Sequence, residues 1–354
     1  MKQNETPPEP RPVRWGIIGT GTIATAFAQD ILLVPEANLV AVCSRSLAKG
    51  SAFAGRFGEI RAYDDPASMA SDVDAIYIAS PNMAHYEQAH GFLSMGKPVL
   101  VEKPLVTSAE QARTLAALAS RTGTFAMEAM WTAYLPAVEH VRNLLSDAAI
   151  GRITGVTAEL AYRKPFDPGS RFFSPELGGG ALFDLGIYPI ALMLTLFGLP
   201  QSVMGHWTAA ATGVDMSARA TLSYDGFDAD FSCGFDRDGG NRFIITGDTG
   251  SLIIDAPFLK ASRIHLARNS FARRLAAPAV SGRISSLAGK IASRLPVPGL
   301  QSFDHAFPGN GLQFEIAAAS RAIRAGLREE KRMPLTASIA ALEIIEKIRA
   351  VPAS

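Results

Sequence analysis

The chain has 354 residues, of which 48% are hydrophobic, and its 34 lysines and arginines against 33 aspartates and glutamates leave a net charge of +1. This length predicts about two domains, each large enough to bury a core. The near-zero charge argues against a nucleic-acid-binding protein, because such a protein needs a basic excess to neutralise phosphates. It also argues against an acidic disordered scaffold.

Cysteine usage and the apolar segments favour a protein of the reducing cytoplasm. Cys43 and Cys233 lie far apart in apolar runs, so they offer neither a disulfide framework nor a CxxC metal or redox motif. Residues 1–12 are polar and proline-rich without the apolar core of a signal peptide, and we predict a disordered leader. The longest uncharged apolar stretch, residues 185–200, has 16 residues. A bilayer needs about 20, so we predict a helix buried in a protein core and no membrane span.

Residues 13–130 alternate short β-branched runs with stretches of helical spacing. The predicted strands are VRWGIIG, ANLVAVCS, DAIYIAS, GKPVLVEK and TFAMEAM, and the predicted helices cover residues 23–33, 47–57, 85–95 and 108–122. Strands and helices that alternate at this length form βαβ units and a parallel sheet covered on both faces. We therefore predict an α/β fold whose first domain is a doubly wound parallel sheet.

Residues 131–354 have a different pattern, which predicts an α+β domain. A helix near residues 137–145 precedes the strand-like segments ITGVTAELAYR, ARATLSYD, DADFSCGF, RFIITGD and GSLIIDA, and Gly/Asp turns indicate hairpins between them. We expect an open, mainly antiparallel sheet with the apolar helix at 185–197 on one face, closed by helices near 312–325 and 336–349. An exposed apolar face of this sheet would be covered by a second copy, giving a homodimer or homotetramer.

A basic insert interrupts the second domain at about residues 262–300. No acidic residue lies between Asp255 and Asp304. The basic residues there are Lys260, Arg263, Arg268, Arg273, Arg274, Arg283, Lys290 and Arg294. Such a segment could contact a membrane surface or another polyanion, or it could be a solvated loop. We favour the loop, because blocks of like charge are commonly solvated.

The first motif with chemical meaning is GTGTIA, which follows the strand WGIIG and opens a helix. In this strand-turn-helix context a GxGxxG/A motif is typical of dinucleotide binding, whereas the bare motif could be only a tight turn. The first glycine makes the turn and the second lets the backbone approach a pyrophosphate. The free N–H groups and the dipole of the helix N-terminus would then hold the phosphates. The residues assigned to this function are Gly19, Thr20, Gly21, Thr22 and Ile23.

The end of the second strand decides between NAD and NADP. An NAD site carries an acidic residue about 20 positions after the glycines to bind the ribose 2′-hydroxyl, but this chain has Ser44 and Arg45 there. A serine hydroxyl and an arginine guanidinium suit a 2′-phosphate, although Arg45 could also be an ordinary loop residue. We therefore favour NADP over NAD as the cofactor.

Two further polar groups each follow an apolar strand of the predicted sheet. Because ligands of doubly wound sheets bind at the carboxyl ends of the strands, we expect these side chains to face the cofactor. Considered one at a time, the serine and asparagine after the first of these strands could form a helix cap, and the histidine could lie on a helix face. The Glu-Lys pair after the other strand could be solvated. The residues are Ser80, Pro81, Asn82, His85, Glu102 and Lys103.

In the second domain a triple glycine precedes ALFDLGIYP, which puts an aspartate and a tyrosine four positions apart. Asp184 and Tyr188 share one face of the apolar helix if that helix starts early enough. A buried aspartate needs a partner or a function. In a simpler interpretation Asp184 caps the helix and Tyr188 packs in the core.

Taken together, these motifs resemble the Gfo/Idh/MocA oxidoreductases. GTGTIA, SR, AYDD, SPNMAHY, GKPVLVEKPL, MEAMW and GGGALFDLGIYP occur in the order and spacing of that family, and the similarity extends to GNGLQFE and PLTASIAALEIIEKI. It covers residues 13–350 apart from the basic insert. The branch that looks most similar contains dimeric trans-dihydrodiol dehydrogenase, NADP-dependent D-xylose dehydrogenase and glucose-fructose oxidoreductase.

The resemblance implies a Rossmann domain followed by an α+β domain with an open sheet, and it implies roles for the matching residues. Lys103 would contact the nicotinamide ribose and the reacting oxygen. Asp184 and Tyr188 would act with it, because this branch has a tyrosine where most of the family has a histidine. The residues matched to the substrate pocket are His85, Trp131, Arg171, Asp184 and Tyr188.

Oxidation of an alcohol removes its hydroxyl proton as hydride leaves for the nicotinamide, so a base must reach that oxygen. Free tyrosine has a pKa of about 10, and we expect the Lys103 ammonium to lower the pKa of Tyr188, with Asp184 orienting the lysine or the substrate. The sequence thus predicts an enzyme acting on a hydroxylated small molecule: an aldose, an inositol-like polyol, a dihydrodiol or a nucleotide sugar. A sensor without turnover, or an enzyme that retains its cofactor, stays an alternative.

Overall fold

The computed structural model describes residues 11–277 and 297–353. Its first sheet consists of β1 (Val13–Ile18), β2 (Ala37–Cys43), β3 (Arg61–Tyr63), β4 (Ala75–Ile78), β5 (Val99–Glu102) and β6 (Ala126–Ala129). All neighbouring strands are parallel, in the order β3-β2-β1-β4-β5-β6. The strand order reverses between β1 and β4, and the crevice outside the carboxyl ends of strands at that point is where such sheets bind ligands.

Five helices connect these strands: α1 (Thr22–Asp30), α2 (Leu47–Ala54), α3 (Pro66–Asp72), α4 (His85–Ser94) and α5 (Ala109–Thr122). Side chains cap three of them, because Ser46, Asp65 and Ser108 each accept a hydrogen bond from a backbone N–H of the first turn. The predicted doubly wound α/β arrangement is confirmed. The sequence interpretation missed β3 and α3, which are too short to show a clear period.

The second sheet has eight strands in the order β14-β13-β12-β11-β7-β10-β9-β8. They are β7 (Ile153–Ala161), β8 (Ser202–Ala209), β9 (Asp215–Tyr224), β10 (Phe227–Gly234), β11 (Phe243–Gly247), β12 (Ser251–Ile254), β13 (Arg263–Ala267) and β14 (Leu300–Asp304). Only β7 and β10 pair in parallel, so the sheet is mainly antiparallel, as predicted.

The remaining helices are α6 (Pro136–Ser146), α7 (Ile187–Phe197), α8 (Ser270–Ala276), α9 (Gln313–Arg324) and α10 (Leu335–Arg349). The segment Pro175–Phe197 is long and apolar enough to cross a membrane, but 78% of its most apolar window is buried inside the protein. It is therefore a core helix, as predicted from its length.

The C-terminal part of the chain returns to the first sheet. Helix α9 packs on β1 and β2, and the Trp15 Nε1 donates to Ser320 Oγ at 3.0 Å. The buried carboxylate of Asp30, at the end of α1, accepts from the backbone N–H groups of Asn310 and Leu312 at 2.8–2.9 Å. The N-cap residue of α9 makes no side-chain hydrogen bond, and Asp30 of α1 caps this helix instead. These hydrogen bonds link the two domains.

The described parts of the predicted basic insert are not a solvated loop. Strands β13 and β14 pair with each other, and α8 packs against them with Ala272 buried beside Ile253 and Ala267. The loop interpretation is wrong for these residues because their apolar side chains alternate with the charges and cover the edge of the sheet. Residues 278–296, and residues 1–10 of the predicted leader, lie outside the described residues. Arg11 of that leader forms an ion pair with Asp74 at 3.1 Å.

The face of the second sheet that points away from α7 is polar rather than apolar. Cross-strand rows on this face run Ile244-Thr157-Asp230-Thr221-Met204 and Glu159-Ser232-Arg219-His206. They line a wide open depression of about 850 Å³. The expectation of an exposed apolar patch is wrong, because serine, threonine and charged residues occupy most outward positions of β7, β9 and β10.

Candidate active site

The start of α1 leaves room and hydrogen-bond donors for a pyrophosphate. Gly19 has a φ of +108°, and a Cβ there would lie 2.6 Å from the Ala79 carbonyl oxygen, so this turn needs glycine. A Cβ on Gly21 would meet no heavy atom within 4 Å, which leaves open space above the helix. No side chain caps the helix N-terminus, so its N–H groups are available to an anion. These residues fit a dinucleotide.

Ser44 and Arg45 directly follow β2 at the same edge of the sheet. The Arg45 side chain is exposed. Among residues 11–277 and 297–353 it has no hydrogen-bond or ion-pair partner, so its guanidinium is free for a ligand. Ser44 is half-buried and its Oγ accepts only a long bond of 3.5 Å from the Ser46 N–H. Both residues thus lie at the carboxyl edge of the sheet, the edge at which sheets of this kind bind a dinucleotide.

The residues after β4 form the wall of the crevice. The Asn82 amide donates to the Gly178 carbonyl at 3.1 Å, which links this wall to the second domain. Ser80 Oγ donates to Gln88 at 2.8 Å. Pro81 begins the short turn at Asn82–Ala84 that leads into α4. The side chains of Ser80 and Asn82 are thus held by protein partners.

His85 does not present a free ring nitrogen to the crevice. The ring is fully buried, with Nδ1 2.9 Å from the Pro104 carbonyl oxygen and Nε2 2.9 Å from the Ser80 carbonyl oxygen. Burial lowers the pKa of His85. This geometry does not support the expectation that His85 contacts substrate or cofactor, because both nitrogens face backbone carbonyl oxygens of the loops that follow β4 and β5, and the neutral ring donates its one N–H to one of them.

Lys103, Asp184 and Tyr188 meet at the carboxyl end of β5. The Lys103 ammonium donates to the Asp184 backbone carbonyl at 2.7 Å and lies 3.3 Å from Asp184 Oδ1. It also lies 4.8 Å from the centroid of the Tyr188 ring. The lysine and aspartate side chains are only 13% and 14% exposed. A lysine, a carboxylate and a phenol are therefore within reach of one small molecule.

The charges of this cluster stabilise one another. Burial acts to lower the pKa of Lys103, but the negative charges that Tyr188, when ionised, and Asp184 place beside it outweigh burial and raise that pKa above its ordinary value. Burial acts to raise the pKa of Asp184, but Lys103 and Arg171 outweigh it and hold that pKa below its usual range. The site therefore contains an ammonium and a carboxylate at neutral pH.

Tyr188 stays a neutral phenol in this environment. Its hydroxyl accepts a hydrogen bond from Trp131 Nε1 at 3.2 Å. Burial raises the pKa of Tyr188, and Lys103 opposes the rise without cancelling it. The expectation that Lys103 brings the Tyr188 pKa below that of free tyrosine is wrong, because desolvation of the phenolate is the larger effect.

A π-helical turn over Leu182–Gly186 continues directly into α7 and positions the cluster. Asp184 lies in this turn and Tyr188 in the first turn of α7, and π-helical turns often occur at functional sites. Asp184 lies inside the helix, with its N–H bonded to the Gly180 carbonyl at 3.1 Å. The interpretation of Asp184 as a helix cap is therefore wrong.

Buried carboxyl groups lie behind Lys103. Glu102 does not face the crevice: the Tyr77 hydroxyl donates to it, the Lys103 N–H donates to it at 3.1 Å, and burial raises its pKa to about 7. Glu128 accepts from the Leu105 N–H at 2.8 Å. Glu315 is fully buried, and neither carboxyl oxygen has a hydrogen-bond partner in the part of the chain that the structure describes. The sequence interpretation missed Glu128 and Glu315, because only their burial distinguishes them.

Two cations lie beside Asp184 at the mouth of the site: Arg171, which the sequence predicted, and Lys164, which it did not. Arg171, which is 60% exposed, lies 3.3 Å from Asp184 Oδ1. The half-buried ammonium of Lys164 lies 3.9 Å from the centroid of the Phe172 ring. Burial lowers the pKa of Lys164, and Asp184 opposes that effect. The RFFSPELGGG context indicated Arg171, but no motif indicated Lys164.

The dinucleotide crevice and the adjoining Lys-Asp-Tyr cluster define an oxidoreductase. A family model described as an oxidoreductase family with an NAD-binding Rossmann fold matches residues 13–130, and a model of the GFO/IDH/MocA C-terminal domain matches residues 138–253. The chain belongs to the GFO/IDH/MocA family.

Named relatives include dehydrogenases and a reductase. Scyllo-inositol 2-dehydrogenase (NADP(+)) IolU of Bacillus subtilis is 36% identical over 225 residues, which are 61% of this chain and 68% of that relative. Trans-1,2-dihydrobenzene-1,2-diol dehydrogenase of Danio rerio is 28% identical over 344 residues, which are 95% of this chain and 96% of that relative. The crystal structure of KijD10, a 3-ketoreductase from Actinomadura kijaniata, in complex with NADP and TDP-benzene superposes with a TM-score of 0.78 at 24% identity, over 96% of this chain and 98% of that one. This last likeness establishes the fold.

Proposed function

We propose that this protein transfers a hydride between NADP and a hydroxyl or carbonyl group of a sugar, polyol or dihydrodiol. The observation that carries the proposal is the cluster of Lys103, Asp184 and Tyr188 at the carboxyl end of β5, beside the dinucleotide crevice. These three side chains supply a cation, a carboxylate and a proton donor, which are the groups that carbonyl reduction needs.

The preference for NADP over NAD rests on the end of β2. Arg45 is exposed there without a partner among the described residues, and no carboxylate stands between Cys43 and Leu47 to repel a 2′-phosphate. An arginine binds a phosphate through charge-assisted hydrogen bonds. The named cofactor of the Bacillus relative is also NADP(+).

The chain's own residues hold the cofactor and handle the proton. The α1 N-terminus, Ser44 and Arg45 would hold the dinucleotide, which when bound supplies the hydride donor or acceptor. In the reducing direction the neutral Tyr188 phenol donates its proton to the substrate oxygen, while the Lys103 ammonium stabilises the negative charge that develops there. In the oxidising direction the same phenol oxygen must first lose its proton. Asp184 keeps the lysine charged and in place.

Two alternatives remain distinct from this proposal. A sensor would bind NADP(H) without turnover, yet it would not need the buried lysine, carboxylate and phenol to converge at one point. An enzyme that retains its cofactor would need a second substrate to restore it. We also propose a cytoplasmic location, since both cysteines are free and buried.

The test is a fluorescence titration of the purified protein with NADPH and with NADH, followed by an absorbance screen of NADP⁺ reduction against aldoses, inositols and dihydrodiols. Preferential NADPH binding with turnover of one of these classes would support the proposal. Binding without turnover across the whole panel, and without cofactor bound after purification, would favour the sensor. Binding of neither nucleotide would contradict the assignment of the crevice.

A further inference from the structure

Two cations outside the catalytic cluster converge at its entrance. The loop after β7 carries both Lys164 and Arg171, and both lie over the Phe172 ring, at 3.9 Å from its centroid for Lys164 Nζ and 4.2 Å for Arg171 Cζ. Arg171 also lies 3.3 Å from Asp184 Oδ1, the same oxygen that Lys103 approaches at 3.3 Å. The loop thus brings its two positive charges to the carboxylate that holds the catalytic lysine.

The positive charges here exceed the negative ones. Asp184 already faces two cations, Lys103 and Arg171. The Lys164 ammonium has no hydrogen bond or ion pair with any described residue and lies over the rings of Phe172 and Phe235. A cation that has lost water without gaining an anion carries a desolvation cost. An anionic group arriving at this point would remove that cost and gain charge-assisted hydrogen bonds.

We propose that Lys164 and Arg171 form an anion subsite, so that the natural substrate is a hydroxylated molecule that also carries a carboxylate or phosphate group. This inference rests on the proposed function and specifies its substrate class. The reacting hydroxyl would lie at Lys103 and Tyr188, and the anion only a few bonds away, because Lys103 and Arg171 approach the same Asp184 oxygen. A sugar acid or a sugar phosphate fits this spacing, whereas a neutral sugar leaves Lys164 unpaired.

The test uses the full chain loaded with NADPH and three matched ligands: D-glucose, D-glucuronate and D-glucose 6-phosphate. Calorimetric affinities are compared for wild type, Lys164→Met and the control Arg163→Met. Methionine is a flexible, unbranched side chain that keeps most of the apolar part of lysine or arginine and removes the charged donor group. Arg163 is the exposed neighbour of Lys164, and its side chain has no contact with the site among the described residues.

We expect at least one of the two anions to bind wild type about tenfold or more tighter than glucose, and Lys164→Met to lose about tenfold in affinity for that anion alone. Arg163→Met should bind all three ligands with wild-type affinity. Whether glucuronate or glucose 6-phosphate binds more tightly shows whether the natural substrate carries a carboxylate or a phosphate. The subsite would be overturned if wild type bound the anions no more tightly than glucose, or if it bound no anion. It would also be overturned if Lys164→Met lost affinity for the anion and for glucose equally. NADPH binding and turnover of neutral polyols are measured separately, so a failed subsite is distinguishable from a failed oxidoreductase assignment.

Discussion

Tyr188 is subject to opposing influences on its pKa, and their balance predicts how the rate depends on pH. Burial raises the pKa above that of free tyrosine, and Lys103 reverses only part of the rise. The proton-donating form therefore dominates at neutral pH, and the proton-accepting form grows only as pH rises. We predict that steady-state reduction is constant around pH 7 and falls in strong alkali, while oxidation climbs continuously through about pH 7–10. An oxidation optimum on the acidic side would contradict this role of the tyrosine.

The side chain of Arg45 allows a test of the proposed preference for NADP over NAD. NADPH and NADH differ only in the 2′-phosphate, so NADH is the matched control within the same protein. We predict that Arg45→Ala weakens NADPH binding about tenfold or more and leaves NADH binding unchanged, as measured by fluorescence titration. Equal weakening of both cofactors would show that Arg45 supports the loop instead of the phosphate.

At the scale of single residues, the structure brings Lys103, Asp184 and Tyr188 together, and their roles stay predictions. Lys103 and Asp184 are far apart in sequence, yet Lys103 follows β5 directly and Asp184 lies in the π-helical turn before α7, and the fold places these two elements side by side. His85 and Glu102 follow strands in the same way, but their side chains turn inward to partners that no pattern shows. Lys164 was missed because its contacts are with aromatic rings, including Phe235 from a distant strand.

The π-helical turn depends on one buried ion pair. Asp215 Oδ2 accepts from the Leu182 N–H at 2.5 Å, and its other oxygen pairs with the Arg349 guanidinium, whose Nε lies at 2.8 Å. A Cβ on Gly180 would collide with Asp215, so the triple glycine is needed where the chain passes this carboxylate. The pair thus fastens the last helix, α10, to the turn that carries Asp184.

We predict that Asp215→Asn destabilises the protein by about 3 kcal/mol, because it leaves Arg349 without its counter-charge beside a buried helix start. Asp228→Asn, an exposed substitution on the neighbouring strand β10, should change the free energy of unfolding by less than about 0.5 kcal/mol. Urea unfolding of both variants measures the difference. Equal stability of the two variants would show that the pair does not hold the turn.

The sequence predicted the long helices and strands with a regular hydrophobic period better than the short or irregular ones. The four predicted helices of the first domain agree with α1, α2, α4 and α5 to within a few residues. Strand β8 and the pair β13 and β14 were missed, because β8 (SVMGHWTA) mixes apolar and polar residues without regular alternation and the other two lie in a run dominated by basic charge. The π-turn was also missed, since nothing in ALFDLGIYP distinguishes it from a regular helix start.

At the scale of the whole molecule, the open face of the second sheet is the surface that a second copy would cover. We propose a homodimer or homotetramer through this face, although its contacts would be polar. Met204 is a large apolar side chain on this face and is 69% exposed. We predict that Met204→Glu shifts the protein toward the 37.6 kDa monomer in light scattering, because it places a charge in the interface.

Leu199→Glu is the matched control for that experiment. Leu199 is 73% exposed and follows α7 outside the open face. Its variant should keep the wild-type mass. A wild-type protein that is monomeric at micromolar concentration, or a Met204→Glu variant with the wild-type mass, would contradict assembly through this sheet.

The most direct test of the account is turnover and NADPH binding measured on the same preparations of wild type and Tyr188→Phe. Removing one hydroxyl keeps the ring beside Lys103 and the crevice at α1, and it removes the proton donor together with the acceptor of the Trp131 Nε1 hydrogen bond. We predict a fall in kcat of about 10² or more, with the affinity for NADPH unchanged. Turnover of Tyr188→Phe at the wild-type rate would contradict the assignment of Tyr188 as the proton donor and with it the proposed mechanism.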